Sequence, residues 1–290
     1  MQTENTFLIE PRLRDIGNLS VNRLLPVARR RAVGPFVFFD HMGPLAFAPG
    51  SGLDVLPHPH IGLATLTYLF DGEITHRDSL GAEQVIRPGD VNWMTAERGV
   101  VHSERTPPAA RAAGQTLNGL QIWIGLPTAE EERAPDFEHH AAADLPAWEE
   151  GGVRLRLVAG EAFGARAPVS VYSPMFYLDT AFTPGSSLTL PAELGERALY
   201  VSEGQVSAAD RVLSAGQMLV LEDGAAARIA AEAEARLMLL GGAPLDGPRH
   251  MWWNFVSSSK DRIEQAKADW AEGRFDPVPG ETEFVPLPER

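Results

Sequence analysis

The chain of 290 residues contains no cysteine. Disulfides and thiolate ligands are thereby excluded, and any metal must be held through nitrogen or oxygen. Basic residues are scarce beside acidic ones, 25 Lys and Arg against 39 Asp and Glu, which sets the formal net charge at -14. Such a charge repels phosphate backbones and anionic membrane surfaces, so direct binding to nucleic acid or to a membrane is not expected. The one basic cluster, Arg29-Arg30-Arg31, reads as a solvated strand edge. Long apolar runs are lacking too: nothing approaches the ~20 residues that span a bilayer, and Met1 to Ser20 has no apolar signal core. A soluble, cytoplasmic protein is the expectation.

What is present is enough to build a core, since 44% of the residues are apolar. The punctuation is that of short strands about ten residues apart, separated by Gly and Pro turns, which predicts a β-sandwich or barrel and no βαβ fold. Leu8 to Val33 reads as one or two edge strands with a turn near Gly17-Asn18, and Phe36-Val37-Phe38-Phe39 as a buried strand. Asp71-Gly72 is a hairpin turn signal between the apolar run Ile61 to Phe70 and a return strand from Glu73 to Arg77.

Two short motifs in this first half carry chemistry. His58-Pro59-His60 and His102-Ser103-Glu104 each place two metal-binding side chains at i and i+2. In an extended strand those positions share a face, so each motif is a pincer. If the two strands face each other, three imidazoles and one carboxylate converge on a point. The other histidines read differently. His41 sits at a strand exit and suits a capping or hydrogen-bonded core role, His76 is expected at the surface, and the adjacent His139 and His140 point to opposite faces and are expected to be solvated.

The second half repeats the turn grammar of the first. Ala198 to Val206 parallels Thr67 to Ile74, and Ser214 to Val220 parallels Arg87 to Trp93, as after an internal duplication of one β unit. No histidine lies between His140 and His250, so the second copy cannot rebuild the cluster. The acidic stretch Thr128 to Glu150 reads as a connection, giving domains at 1–135 and 136–290. Beyond Met251-Trp252-Trp253-Asn254-Phe255, the pattern Ser258-x-x-Asp261 offers a helix start, Ile263, Ala266 and Trp270 fall on one face, and Gly273 offers a stop. Trp252, Trp253 and Trp270 are expected to be core.

The spacing Gly52-x5-His58-x-His60-x11-Gly72, followed by Pro88-x-Gly and a later histidine, resembles the two motifs of the cupin barrels. Where cupins usually carry a Glu after the His pair this chain has Thr65, and the carboxylate stands at Glu104 instead. That arrangement, with Gly34 to Pro44, His58 to Gly62, Gly99 to Glu104 and the tail motif Gly247-Pro248-Arg249-His250, resembles the pirin family. The resemblance implies an all-β fold of two tandem cupin-type barrels with a short C-terminal helix. It further implies one metal in the N-terminal barrel, bound by His58, His60, His102 and Glu104.

Fe(II) is favoured, with Ni, Cu, Co, Mn or Zn able to take its place. Resemblance to pirins also implies an activity of the quercetin 2,3-dioxygenase type, in which a flavonol and O2 react with ring opening and release of carbon monoxide. Glu104 would be the catalytic base if it is loosely held, and Phe36, Phe38, Trp93 and Met94 are candidates for an apolar lining. The alternatives are a metal-containing, redox-responsive regulatory protein that docks a protein partner without turnover, a cupin enzyme acting on another substrate, and a metal that only staples the barrel.

Overall fold

The structure is a computed structural model that describes residues 6–16, 19–221 and 226–289. The turn expected at Gly17-Asn18 lies outside the described residues. Contacts divide the chain into two units, each built from several segments: Met1–Leu13, Asn22–Phe39 and Ala143–Pro244 in one, Arg14–Val21, Asp40–Ala142 and Leu245–Arg290 in the other. Both are β structures, as expected. Among the described residues no helix is long and apolar enough to cross a membrane.

The unit that carries the pincers has a four-stranded sheet in the order Asp54–His60, Val100–Arg105, Ile74–Asp78, Glu83–Ile86. A larger sheet runs through Asp136–His140, Val91–Thr95, Leu63–Asp71 and Gln115–Gly125 to Phe36–Phe47, of which the part from Asp40 onward belongs to this unit. Every residue of Leu63–Asp71 except Asp71 is buried. This is why that strand reads as a nearly continuous run of Leu, Thr, Tyr and Phe with no polar alternation. Met42, Leu69 and Leu117 of the larger sheet join Ile74 and Ile86 of the smaller one in a single cluster, each worth about 2 kcal/mol relative to exposure.

In the other unit a long sheet runs from Thr6–Ile9 through Met218–Leu221, Glu196–Glu203, Ala235–Gly242, Met175–Phe182 and Val153–Ala162 to Ala147–Glu150, beside a four-stranded sheet. The duplication expected from turn signals is visible in the pairing. Ile74–Asp78 pairs with Glu83–Ile86 as Gln205–Ala208 pairs with Arg211–Ser214. Gly72 and Gly204, which open these hairpins, both have positive φ, 82° and 77°, a conformation that costs glycine little.

The chain passes from one unit to the other within the stretch 128–150, at Ala142 and Ala143, but the stretch is structured. Asp136–His140 is a strand paired with Val91–Thr95, and Glu131 is buried, accepting from Ser258 N at 2.9 Å and Ser257 Oγ at 3.0 Å and pairing with Arg249 at 2.7 Å. His139 and His140 are half-buried and bonded to Asn92 and Glu138, so they are not simply solvated. Arg29 lies in a turn that Arg30 closes, Arg29 over the Phe7 ring at 5.1 Å and Arg30 paired with Glu196 at 3.1 Å.

The C-terminal helix is Lys260–Ala271, capped by Ser259, one residue later than the expected start. Its Ile263 and Ala266 are buried with Ile61 and Phe255, and Trp252, Trp253 and Trp270 pack against this cluster. A six-residue helix, Pro108–Ala113, was not expected. The hairpin of His250–Trp252 and Phe255–Ser257 lies directly behind the first pincer: Val256 N donates to Ile61 O at 3.2 Å. At Gly62, with φ of 66°, a Cβ would sit 2.0 Å from the Val256 carbonyl oxygen.

Candidate metal centre

The two pincer strands are hydrogen-bonded neighbours, and the register sets His102 directly across from His58. On its other side the strand Val100–Arg105 pairs with Ile74–Asp78, placing His102 opposite Asp78 and Glu104 opposite His76. Residues opposed across an antiparallel pair share a face. His58, His60, His76, Asp78, His102 and Glu104 therefore converge on one side of the small sheet, and all six are buried. One ring nitrogen from each of His58, His60 and His102 lies within 4.8 Å of the other two. That closest group does not extend to Glu104, which is bonded to the Thr67 hydroxyl at 3.1 Å.

His76 is the main correction. Expected at the surface, it is buried, bonded through Nε2 to Asp78 Oδ2 at 2.9 Å, and stacked on Phe137 at 4.4 Å. Its Nδ1 faces His102 Nδ1 at 3.4 Å. His41, by contrast, has the core role expected of it, bonded to Asn118 at 2.7 Å.

Two of the three gathered imidazoles share one polarity. His58 Nδ1 donates to the Leu56 carbonyl at 2.9 Å and His60 Nδ1 to the Asn254 carbonyl at 3.1 Å. A proton on Nδ1 leaves the lone pair on Nε2. His60 Nε2 and His102 Nε2 then approach to 3.1 Å. At that distance the two nitrogens either share a neutral N–H···N hydrogen bond or act together on one cation. Burial pushes His58 down to about 4 and holds His60 and His102 well below the ordinary histidine range, so all three stay neutral. Neutral imidazoles facing one another are the donor set a divalent transition metal requires. Burial also raises the Glu104 carboxyl, opposed by the nearby His76 and the Thr67 hydroxyl.

The residues offered for an apolar lining separate. Met94 lies across from Thr65 on the face that also carries Thr67 and Trp123, and Trp93 on the opposite face. Phe36 packs on Tyr177 at 5.8 Å and Phe38 under Arg23 at 4.4 Å, both within the other unit. Trp123, not anticipated, meets the His60 ring edge-on at 5.2 Å. The sequence signal for His76 was available, since His76-x-Asp78 repeats the pincer spacing. Phe137 and Trp123 carried none.

Two β units in tandem, one of them gathering buried imidazoles about a point, define a two-domain cupin. Residues 18–124 match the family described as Pirin, and residues 177–276 match the Pirin C-terminal cupin domain. The chain belongs to the pirin family. A pirin-like protein of Caulobacter vibrioides is 53% identical over 97% of this chain and 99% of its own. A Pseudomonas aeruginosa protein, provisionally named a quercetin 2,3-dioxygenase, is 43% identical over 89% of this chain and 80% of its own. Among solved structures, a quercetin 2,3-dioxygenase from Acinetobacter baumannii superposes with a TM-score of 0.92 at 33% identity, covering 99% of this chain and 96% of that one.

Proposed function

We propose that the protein is a metal-dependent dioxygenase of the quercetin 2,3-dioxygenase type, opening a flavonol ring with O2 and releasing carbon monoxide. The observation that carries the reading is the convergence of three buried imidazoles, one ring nitrogen of each within 4.8 Å of the other two, a donor set suited to a divalent cation. The names of two similar proteins support the substrate class. In this reading His58, His60, His102 and Glu104 hold one divalent first-row ion, Fe(II) in preference to Ni, Cu, Co, Mn or Zn. When bound, the ion would supply Lewis acidity toward the flavonol 3-hydroxyl and redox capacity toward dioxygen.

The remaining work belongs to the chain. Glu104, its carboxyl raised by burial, would take the 3-hydroxyl proton if the ion holds it only loosely, and a base with a raised value transfers protons better near neutrality. The Thr67 hydroxyl holds its Oε1 in place. Trp123 and Met94, on the face of Thr67, offer a flat substrate an apolar wall. Burial of all three histidines keeps competing water away. We assign this chemistry to the N-terminal cupin unit and a structural role to the other, where the sequence has no histidine between His140 and His250.

Elemental analysis of the purified protein, followed by a quercetin assay under nitrogen and then under air, tests the reading. Stoichiometric metal with oxygen-dependent loss of quercetin absorbance is expected. Metal without turnover would sink the dioxygenase and favour a regulatory, partner-binding role; absence of metal would remove the centre itself.

A further inference from the structure

We propose that His76 and Asp78 are positioning residues that fix the tautomer of His102, and so decide whether its inward nitrogen can take a metal. The inference rests on the metal reading above and adds two residues to it. Asp78 is fully buried, and its two oxygens have separate tasks. Oδ1 accepts from Leu80 N at 2.9 Å and Ala82 N at 3.0 Å, while Oδ2 faces His76 Nε2 at 2.9 Å. An ionised carboxylate only accepts, so His76 carries its proton on Nε2. In a neutral His76 ring the Nδ1 is then a lone pair, aimed at His102 Nδ1 3.4 Å away. His102 in turn carries its proton on Nδ1 and presents a bare Nε2 to His60. Phe137, stacked on the His76 ring with an interplanar angle of 15°, holds the plane of the relay.

The other two imidazoles obtain the same polarity from main-chain carbonyls, at Leu56 and Asn254. A main-chain carbonyl can only accept. Of the three, His102 alone takes its polarity from side chains, and there it can be reversed by one isosteric change. In Asp78→Asn the two backbone donors retain the amide oxygen, so the amide NH2 must face His76 Nε2. His76 then accepts there and carries its proton on Nδ1. His102 Nδ1 must accept in turn, and the His102 proton moves to Nε2, where the metal would bind.

The experiment is titration of the full chain with Co(II), followed by its visible absorption, beside Asp78→Asn, His76→Leu and the double variant. Loss of a hydrogen-bond partner behind a ligand weakens metal binding by about 10- to 100-fold. Asp78→Asn is expected to lose the larger amount, and His76→Leu less. The double variant is expected to bind as His76→Leu does, since without the ring the reversed amide has nothing to pass on. A merely structural aspartate would weaken both backgrounds alike, and that result, or Asp78→Asn binding as tightly as the unaltered chain, overturns the relay. Imidazole 15N shifts of the unaltered metal-free chain give a reading that needs no variant. Protons on His102 Nδ1 and His76 Nε2 support the relay, and a His102 Nε2 proton overturns it. Failure of the unaltered chain to bind Co(II) overturns the metal reading separately.

Discussion

Ser103 donates its hydroxyl to Glu281 Oε1 at 2.9 Å, so the C-terminal tail grips the back of the strand whose front carries His102 and Glu104. Glu281 also receives Arg105 Nε at 3.1 Å and Nη2 at 2.6 Å. Glu281→Ala removes these charge-assisted bonds, while Arg105 keeps Asp54 at 3.2 Å. Loss of about 1–2 kcal/mol is expected, read from urea unfolding, and a change below about 0.5 kcal/mol, typical of surface positions, would contradict the clamp.

His58→Ala or His102→Ala should abolish metal binding, and a full metal equivalent in either variant by elemental analysis would overturn the ligand assignment. Glu104→Gln should retain some metal while losing turnover by about a hundredfold. Full activity in that variant would remove Glu104 as the base.

The metal-free protein should lose stability in mild acid. Folded His58 titrates at about 4, against 6.5 for the ordinary side chain. Between those values the unfolded state binds more protons, so the contribution is complete above 6.5 and disappears as pH falls toward 4. For His58 it amounts to about 3 kcal/mol, and His60 and His102 act with the same sign. Glu104, raised in the folded state, acts with the opposite sign as pH rises above the ordinary carboxylate value. Urea midpoints between roughly pH 7 and pH 5 should decrease, and flat midpoints would mean that the imidazoles are hydrated.

Gly62→Ala should destabilise the protein by about 2 kcal/mol or more, from its left-handed backbone and the collision with the Val256 carbonyl. The hairpin would be forced off the first pincer. Loss of metal affinity together with stability is expected; a variant as stable as the parent would show that the approach relaxes freely.

The two pincers were legible because strand geometry has a period of two residues, which a sequence displays without any knowledge of pairing. The duplicated hairpins were legible for a similar local reason, the glycines at 72 and 204. His76 was misplaced because its neighbours across the sheet, His102 and Glu104, are fixed by pairing with a distant strand, and pairing leaves no local mark. Phe137 stood in an acidic stretch with the composition of a linker, yet that strand completes the sheet edge beside Val91–Thr95. Asn254 escaped altogether, since its part is played by a main-chain carbonyl, which every residue possesses.

That carbonyl also sets a clock. His58, His60 and His102 leave the ribosome early, but His60 acquires its partner only when residue 254 has emerged, and the strand behind His102 is gripped only once Glu281 follows. The first strand, Thr6–Ile9, likewise waits for Met218–Leu221 before it has a neighbour. The unit whose histidines are translated early is thus completed by residues made 194 and 178 positions later, and a nascent chain interrupted after the first cupin unit would carry the imidazoles without the groups that aim them.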